Sequence, residues 1–176
     1  MKLLIIFSII CISNISIAQE HTDKIFPDSY IGKYKGELTI HSDNGQQNIP
    51  MEFYLLATDS VGKYDYTIIY GAGENKQTRS YTLKEKHASP GDYILDENNG
   101  IFLDARVVEN RIYFLFEVMG SLLTTFITFE MDYMVFEIVA SQTKKKSITG
   151  GLSEDIPEVI SFPISVVQRA RLQKVN

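Results

Sequence analysis

From Gly32 onward the chain alternates apolar and polar residues, and glycine, asparagine, aspartate or proline breaks the alternation at intervals of roughly eight to twelve positions. Successive side chains of a β-strand point to opposite faces, so this is the signature of half-buried strands. No long segment carries apolar residues at the spacing of a helix face, and no fixed period suggests a propeller or solenoid. Strands do not alternate with helices either, which disfavours a parallel βαβ architecture.

The first strand, Gly32 to Ile40, places Gly32, Tyr34, Gly36, Leu38 and Ile40 on one face and Lys33, Lys35, Glu37 and Thr39 on the other. Asn44-Gly45 suits the positive φ of a tight turn. Pro50 to Thr58 then gathers Met51, Phe53, Leu55 and Ala57 on one side, and the run 63–71 sets Tyr64, Tyr66, Ile68 and Tyr70 against Lys63, Asp65 and Thr67. Further strands are expected over 78–86, 93–96, 101–108, 111–119, 121–130, 133–140 and 162–174. In 111–119, Ile112, Phe114, Phe116 and Val118 share a face, and residues 141–161 read as a long polar loop. The total is about ten strands.

Tight sequential turns pair neighbours, so an antiparallel up-and-down meander is expected. Closing it into a barrel removes the two edges that would otherwise invite aggregation. A barrel embedded in an outer membrane needs an apolar outer face and a polar lumen. Here the polar face bears Lys33, Lys35, Glu37, Lys63, Asp65, Lys84 and Glu117, and the chain ends LQKVN with no aromatic residue. The apolar face is therefore expected to point inward, giving an all-β barrel that does not span a membrane.

Residues 1–18, MKLLIIFSIICISNISIA, run from a lysine through an apolar stretch to small and polar residues, the order of a secretory signal peptide. The apolar stretch is far shorter than the ~20 residues a spanning helix needs. Cys11 as a lipid attachment site is the weaker alternative, because Ser8-Ile9-Ile10 lacks the small residue usual before it. Cleavage after Ala18 leaves a single domain, 19–176, exported to the periplasm or beyond, and takes away the one cysteine. The net charge of −5 argues against nucleic acid or an anionic membrane as partner, since both reward clustered positive charge.

No catalytic pattern stands out, and a non-enzymatic protein without metal or cofactor is expected. His21, His41 and His87 have no metal-ligand spacing, and His87, at a strand end, is the least poor candidate for an axial ligand. Gly120-Ser121 lacks the second glycine of a nucleophile elbow. Asp96 to Gly100 looks like a fragment of a calcium loop, but Val107 stands where its bidentate glutamate belongs. Asp104 and Arg106 share an outer face and read as surface charges or a local ion pair.

With Gly32-Lys33-Tyr34 at the start, a ten-strand meander, and Gln168-Arg169-Ala170-Arg171 in the last strand, the chain resembles the calycin superfamily of lipocalins and fatty-acid-binding proteins. In lipocalins a Gly-x-Trp motif opens the first strand and an arginine near the chain's end packs over the indole. The resemblance implies Tyr34 in the aromatic position and Arg169 or Arg171 as the closing arginine, although this chain has no tryptophan. Strand parity reads otherwise: both arginines fall with Ser165 and Gln173, on the wet side.

The inward set includes Met51, Phe53, Leu55, Tyr64, Tyr66, Tyr70, Phe114 and Phe116, the candidate lining of a ligand cavity. Tyrosines offer an apolar body with a hydroxyl that seeks a partner when buried. Side chains can just fill an eight-strand barrel, whereas a wider one tends to keep a hollow. A small hydrophobic or amphipathic ligand is the expected partner. The alternative is a solid barrel serving as an interaction module at the cell envelope.

Overall fold

The computed structural model describes residues 25–86 and 90–175. The expected signal peptide, Cys11, His21 and His87 lie outside the described residues. Ten antiparallel strands close into a barrel. They are β1 (Gly32–Ser42), β2 (Gly45–Ala57), β3 (Lys63–Tyr70), β4 (Gln77–Glu85), β5 (Asp92–Asp96), β6 (Phe102–Val108), β7 (Arg111–Val118), β8 (Ser121–Phe129), β9 (Tyr133–Gln142) and β12 (Ile164–Val175). Each of β1 to β9 pairs with its sequence neighbours, and β12 fills the seam between β9 and β1. This is the up-and-down meander expected from the alternation.

The first hairpin is tight, as Asn44-Gly45 suggested, with Ser42 opposite Gly45. One expectation about connections is corrected. Residues 141–161 are not one loop: β9 runs to Gln142, a 3-10 turn covers Thr143–Lys145, and β10 (Ser147–Thr149) pairs with β11 (Val159–Ser161) in a separate two-stranded sheet. Its strands are only three residues each and exposed on both faces, so no buried stripe marked them in the sequence.

The interior is apolar and the outer face charged, the reverse of what a lipid-facing barrel requires. Several outer charges pair across strands. Lys35 meets Glu52 at 3.1 Å and Arg169 meets Glu137 at 3.6 Å, each directly opposite in register. Asp104 and Arg106 are not each other's partners; Lys86 bonds Asp104, and Arg106 reaches Asp92 at 2.6 Å. The Asp96–Gly100 segment is a hairpin turn, with Asp96 Oδ1 accepting from the Asn98 N–H at 2.8 Å.

The barrel has two unlike ends. At the base, where β1 begins and β12 ends, the segment before β1 folds inward as a plug. Phe26 and Tyr30 lie 5.6 and 5.5 Å, ring to ring, from Phe129, and Phe26 lies edge-on to Tyr93 at 5.5 Å. The Tyr34 hydroxyl donates to the Tyr30 carbonyl at 2.6 Å, and the Tyr64 hydroxyl donates to Asp28 at 3.0 Å.

Tyr34 is fully buried, and neither Arg169 nor Arg171, the arginines expected to pack over it, covers its ring. Arg169 is exposed on the outer face, and Arg171 stacks on Tyr133 at 3.8 Å. The cation over the Tyr34 ring is Lys174, 5.7 Å from its centre. Lys174 shares the parity of the buried Ala170 and Leu172, whereas the arginines fall on the opposite parity.

The two glycines of the opening motif serve the same seam. A Cβ at Gly32 would sit 2.5 Å from the Lys174 stem, and one at Gly36 would sit 2.7 Å from the Arg171 carbonyl oxygen. A long side chain can move away; a paired backbone cannot without opening the β1–β12 ladder. Gly36→Ala is therefore expected to cost about 2 kcal/mol of unfolding free energy in urea.

Candidate functional site

Exposure along the inner rows divides the barrel. On β8 the inward residues from mouth to base are Leu123, Thr125, Ile127 and Phe129, and the last two are fully buried. On β7 the corresponding row runs from a half-buried Phe116 to a buried Phe114 and a fully buried Ile112. Base-side positions are filled by interlocking rings, among them Phe53 against Tyr66 at 4.8 Å and Tyr34 against Phe129 at 6.0 Å. The mouth half is hollow.

The hollow consists of two adjoining spaces. An inner cavity of about 550 Å³ is walled largely by Tyr66, Ile68, Leu103, Phe114, Phe116 and Phe136. Above it a funnel of about 750 Å³ opens to solvent between Gln47, Glu74, Lys76, Gln77 and Gln168. Tyr70, Arg79, Leu123 and Ile138 border both spaces. A molecule across this junction would keep one end among apolar and aromatic side chains and the other among polar ones, the arrangement of a small-molecule site.

The cavity also has a side window, which comes from strand length. β5 pairs with β4 only over Tyr93–Asp96, and β6 pairs with β7 only over Ala105–Val108. The short β5–β6 hairpin therefore stops below the rim. Asn98 ties its turn to β4, donating to the Ser80 carbonyl at 3.3 Å. On the other side Leu115–Val118 of β7 pair with β8 alone. Ile101, Leu103, Phe116 and Val118 line the cavity at this gap, while Phe102 and Leu115 beside it are more than half exposed.

Of the eight candidate lining residues, Tyr66, Tyr70, Phe114 and Phe116 meet at the cavity. Met51, Phe53 and Leu55 face inward but sit in the filled base. Tyr64 lies at the base and anchors the plug. All share strand faces with cavity residues, and parity alone cannot say how far along the barrel axis a residue stands. Arg79 and Tyr81 were not among the candidates; their parity with the buried Leu83 in TRSYTLKEK is the signal that places them inside.

Burial raises the phenols throughout this interior. Tyr34 and Tyr70 are pushed up to about 12, and so is Tyr64, where Asp28 adds to the effect; burial also raises Tyr66 and Tyr93. All five stay protonated at neutral pH and can donate hydrogen bonds. In the unfolded chain they ionise near pH 10, so above that pH the unfolded state releases protons that the native state keeps. Stability is fully present below pH 10 and falls as pH rises toward 12. Phenolate absorbance is expected to show these tyrosines titrating late, together with loss of the fold. Five tyrosines titrating near 10 in a folded protein would contradict the packing.

No group of three or more metal-binding side chains occurs among the described residues. No helix among them is long and apolar enough to cross a membrane.

No family model matches the chain, and no curated protein matches it. Among solved structures it is similar to a crystal structure of a protein of unknown function from the DUF3598 family of Nostoc punctiforme, with a TM-score of 0.60 at 9% identity. The match covers 84% of this chain but 48% of that one, so the chain spans about half the length of its neighbour. A likeness at this identity concerns the fold alone.

Proposed function

We propose that the protein is an exported, non-catalytic binding protein that holds one small hydrophobic or amphipathic molecule in the mouth half of its barrel. The observation that carries this reading is the division of the interior. Rings fill the base and a plug closes it, yet the same fold keeps about 550 Å³ of largely apolar space open toward a polar funnel. Protein interiors otherwise pack to the density of organic crystals, so a hollow of this size beside a filled half favours an occupant. The side window gives an apolar path to the cavity that bypasses the polar funnel.

Incubation with a total lipid extract, followed by native mass spectrometry, tests the proposal. A single added mass per chain is expected; a chain that stays empty under all conditions removes the proposal. A second reading has one observation in its favour. The β10–β11 sheet and its flanks expose Ile148, Leu152, Ile156, Val159 and Ile160, apolar residues that lie outside the barrel wall and suit a protein-docking surface. Deleting that sheet should leave small-molecule uptake intact if the cavity reading holds.

A further inference from the structure

The segment from Lys144 to Ser161 leaves the barrel wall, and every residue in it is exposed. Its β10–β11 sheet has no further strand on either side. A two-stranded sheet bare to water on both faces is marginally stable by itself. The arm nevertheless holds a defined turn. Gly150 and Gly151 take φ of +85° and +67°, the Gly151 N–H donates to the Ile156 carbonyl at 3.1 Å, and the Ile156 N–H donates to the Ser153 carbonyl at 3.1 Å.

Charge is polarised along this arm. Lys144, Lys145 and Lys146 stand at the end that follows β9, and Glu154, Asp155 and Glu158 stand in or beside the far turn. Among the described residues none of these six side chains forms an ion pair. Apolar side chains lie between the two ends. Ile148 is paired with Ile160, so the two share one face of the sheet, and they are 53% and 45% exposed. Lys146 and Glu158 each stand two residues before one of these isoleucines, which by strand parity puts them on that same face at opposite ends. Leu152 and Ile156 carry the exposed apolar surface on into the turn.

We infer that this arm is a contact between two copies of the chain. The two arms stack face to face and run in opposite directions about a twofold axis, with the isoleucine pairs meeting at the centre. Reversal brings the lysine end of each copy over the carboxylate end of the other, and the symmetry makes this match twice. Stacking in the same direction would set lysines on lysines and carboxylates on carboxylates, so charge selects the reversed arrangement. A partner of another kind would have to carry this same polarity; a second copy has it already. The contact is small, which puts the dimer in the weak, transient class. It is independent of the reading of the inner cavity.

Sedimentation velocity on the purified protein, over a series from low to high micromolar, tests the inference. A monomer–dimer equilibrium that weakens as salt is raised is expected. Two charge-reversed variants decide where the contact lies: Lys144→Glu/Lys145→Glu/Lys146→Glu and Glu154→Lys/Asp155→Lys/Glu158→Lys. All six sites are exposed, so the barrel is left in place, which circular dichroism verifies. Each variant alone sets like charges against each other at both ends and is expected to dimerise more than about tenfold more weakly than the parent. An equimolar mixture of the two restores opposite charges at both ends and is expected to form a heterodimer of parental affinity.

A parent that stays monomeric throughout the series overturns the inference. A dimer that both reversed variants keep does so too, since it places the contact elsewhere on the chain, as does a mixture no tighter than either variant alone. None of these results bears on uptake of a small molecule, which native mass spectrometry reads separately.

Discussion

Phe129→Ala is expected to destabilise the protein by about 4 kcal/mol, among the largest effects of any single truncation. Phe129 is 1% exposed and stands within 6.0 Å, ring to ring, of Phe26, Tyr30, Tyr34 and Phe53. It therefore joins the plug, the first strand and the second in one aromatic cluster. Removing it opens a void that rigid rings on several strands cannot collapse to fill. In a chain of this size the melting temperature should fall by about 12 °C. Phe116→Ala is the control: Phe116 already borders a hollow, so its truncation loses fewer contacts and should cost about 1 kcal/mol. Equal costs at the two positions would mean that the interior is filled evenly from base to mouth.

The second large effect concerns binding. Leu103 and Leu123 face the inner cavity from β6 and β8, and Leu123 also borders the funnel. Replacing both with tryptophan puts two indoles into space now open, at positions that are only half-buried and can take larger side chains. If they displace roughly 100 Å² of apolar contact with a ligand, the loss is about 2.5 kcal/mol, or nearly a hundredfold in Kd. Unfolding free energy should change little, because the indoles grow into a void and not into the packed base. A drop in stability with unchanged binding would place the ligand elsewhere.

The barrel was legible because its signal is period-two alternation, which recurs in its ten strands between Gly32 and Val175. Turn residues fixed the number of strands, and sequential turns fixed their order. The β10–β11 sheet was not legible, since exposed three-residue strands carry no alternation to read. The seam was half legible. Tyr34 could be placed from the opening motif, but the resemblance drew attention to arginines, while the parity of Ala170 and Leu172 already pointed to Lys174.

The site shows a different limit. Parity assigns a residue to the interior without saying whether it faces packing or space, so Phe53 and Phe114 looked alike although they lie in different halves. What separates them is axial level, set by the pairing registers of ten strands together. The window had a faint trace in the sequence, because the strand ending at Asp96 is visibly shorter than those around it. Tyr66 and Tyr70 on β3 and Arg79 and Tyr81 on β4 line one cavity because their hairpin pairs Tyr66 with Tyr81 and Ile68 with Arg79, a register that the parity of either strand alone does not show.

The central claim is that the mouth half of the barrel is a binding cavity and not a packing defect. Fluorescence titration of N-phenyl-1-naphthylamine into the parent protein and the Leu103→Trp/Leu123→Trp variant tests it most directly. One saturable site per chain in the parent, lost in the variant while its melting temperature is kept, is the predicted result. Absence of saturable binding, or equal binding to both proteins, would contradict it.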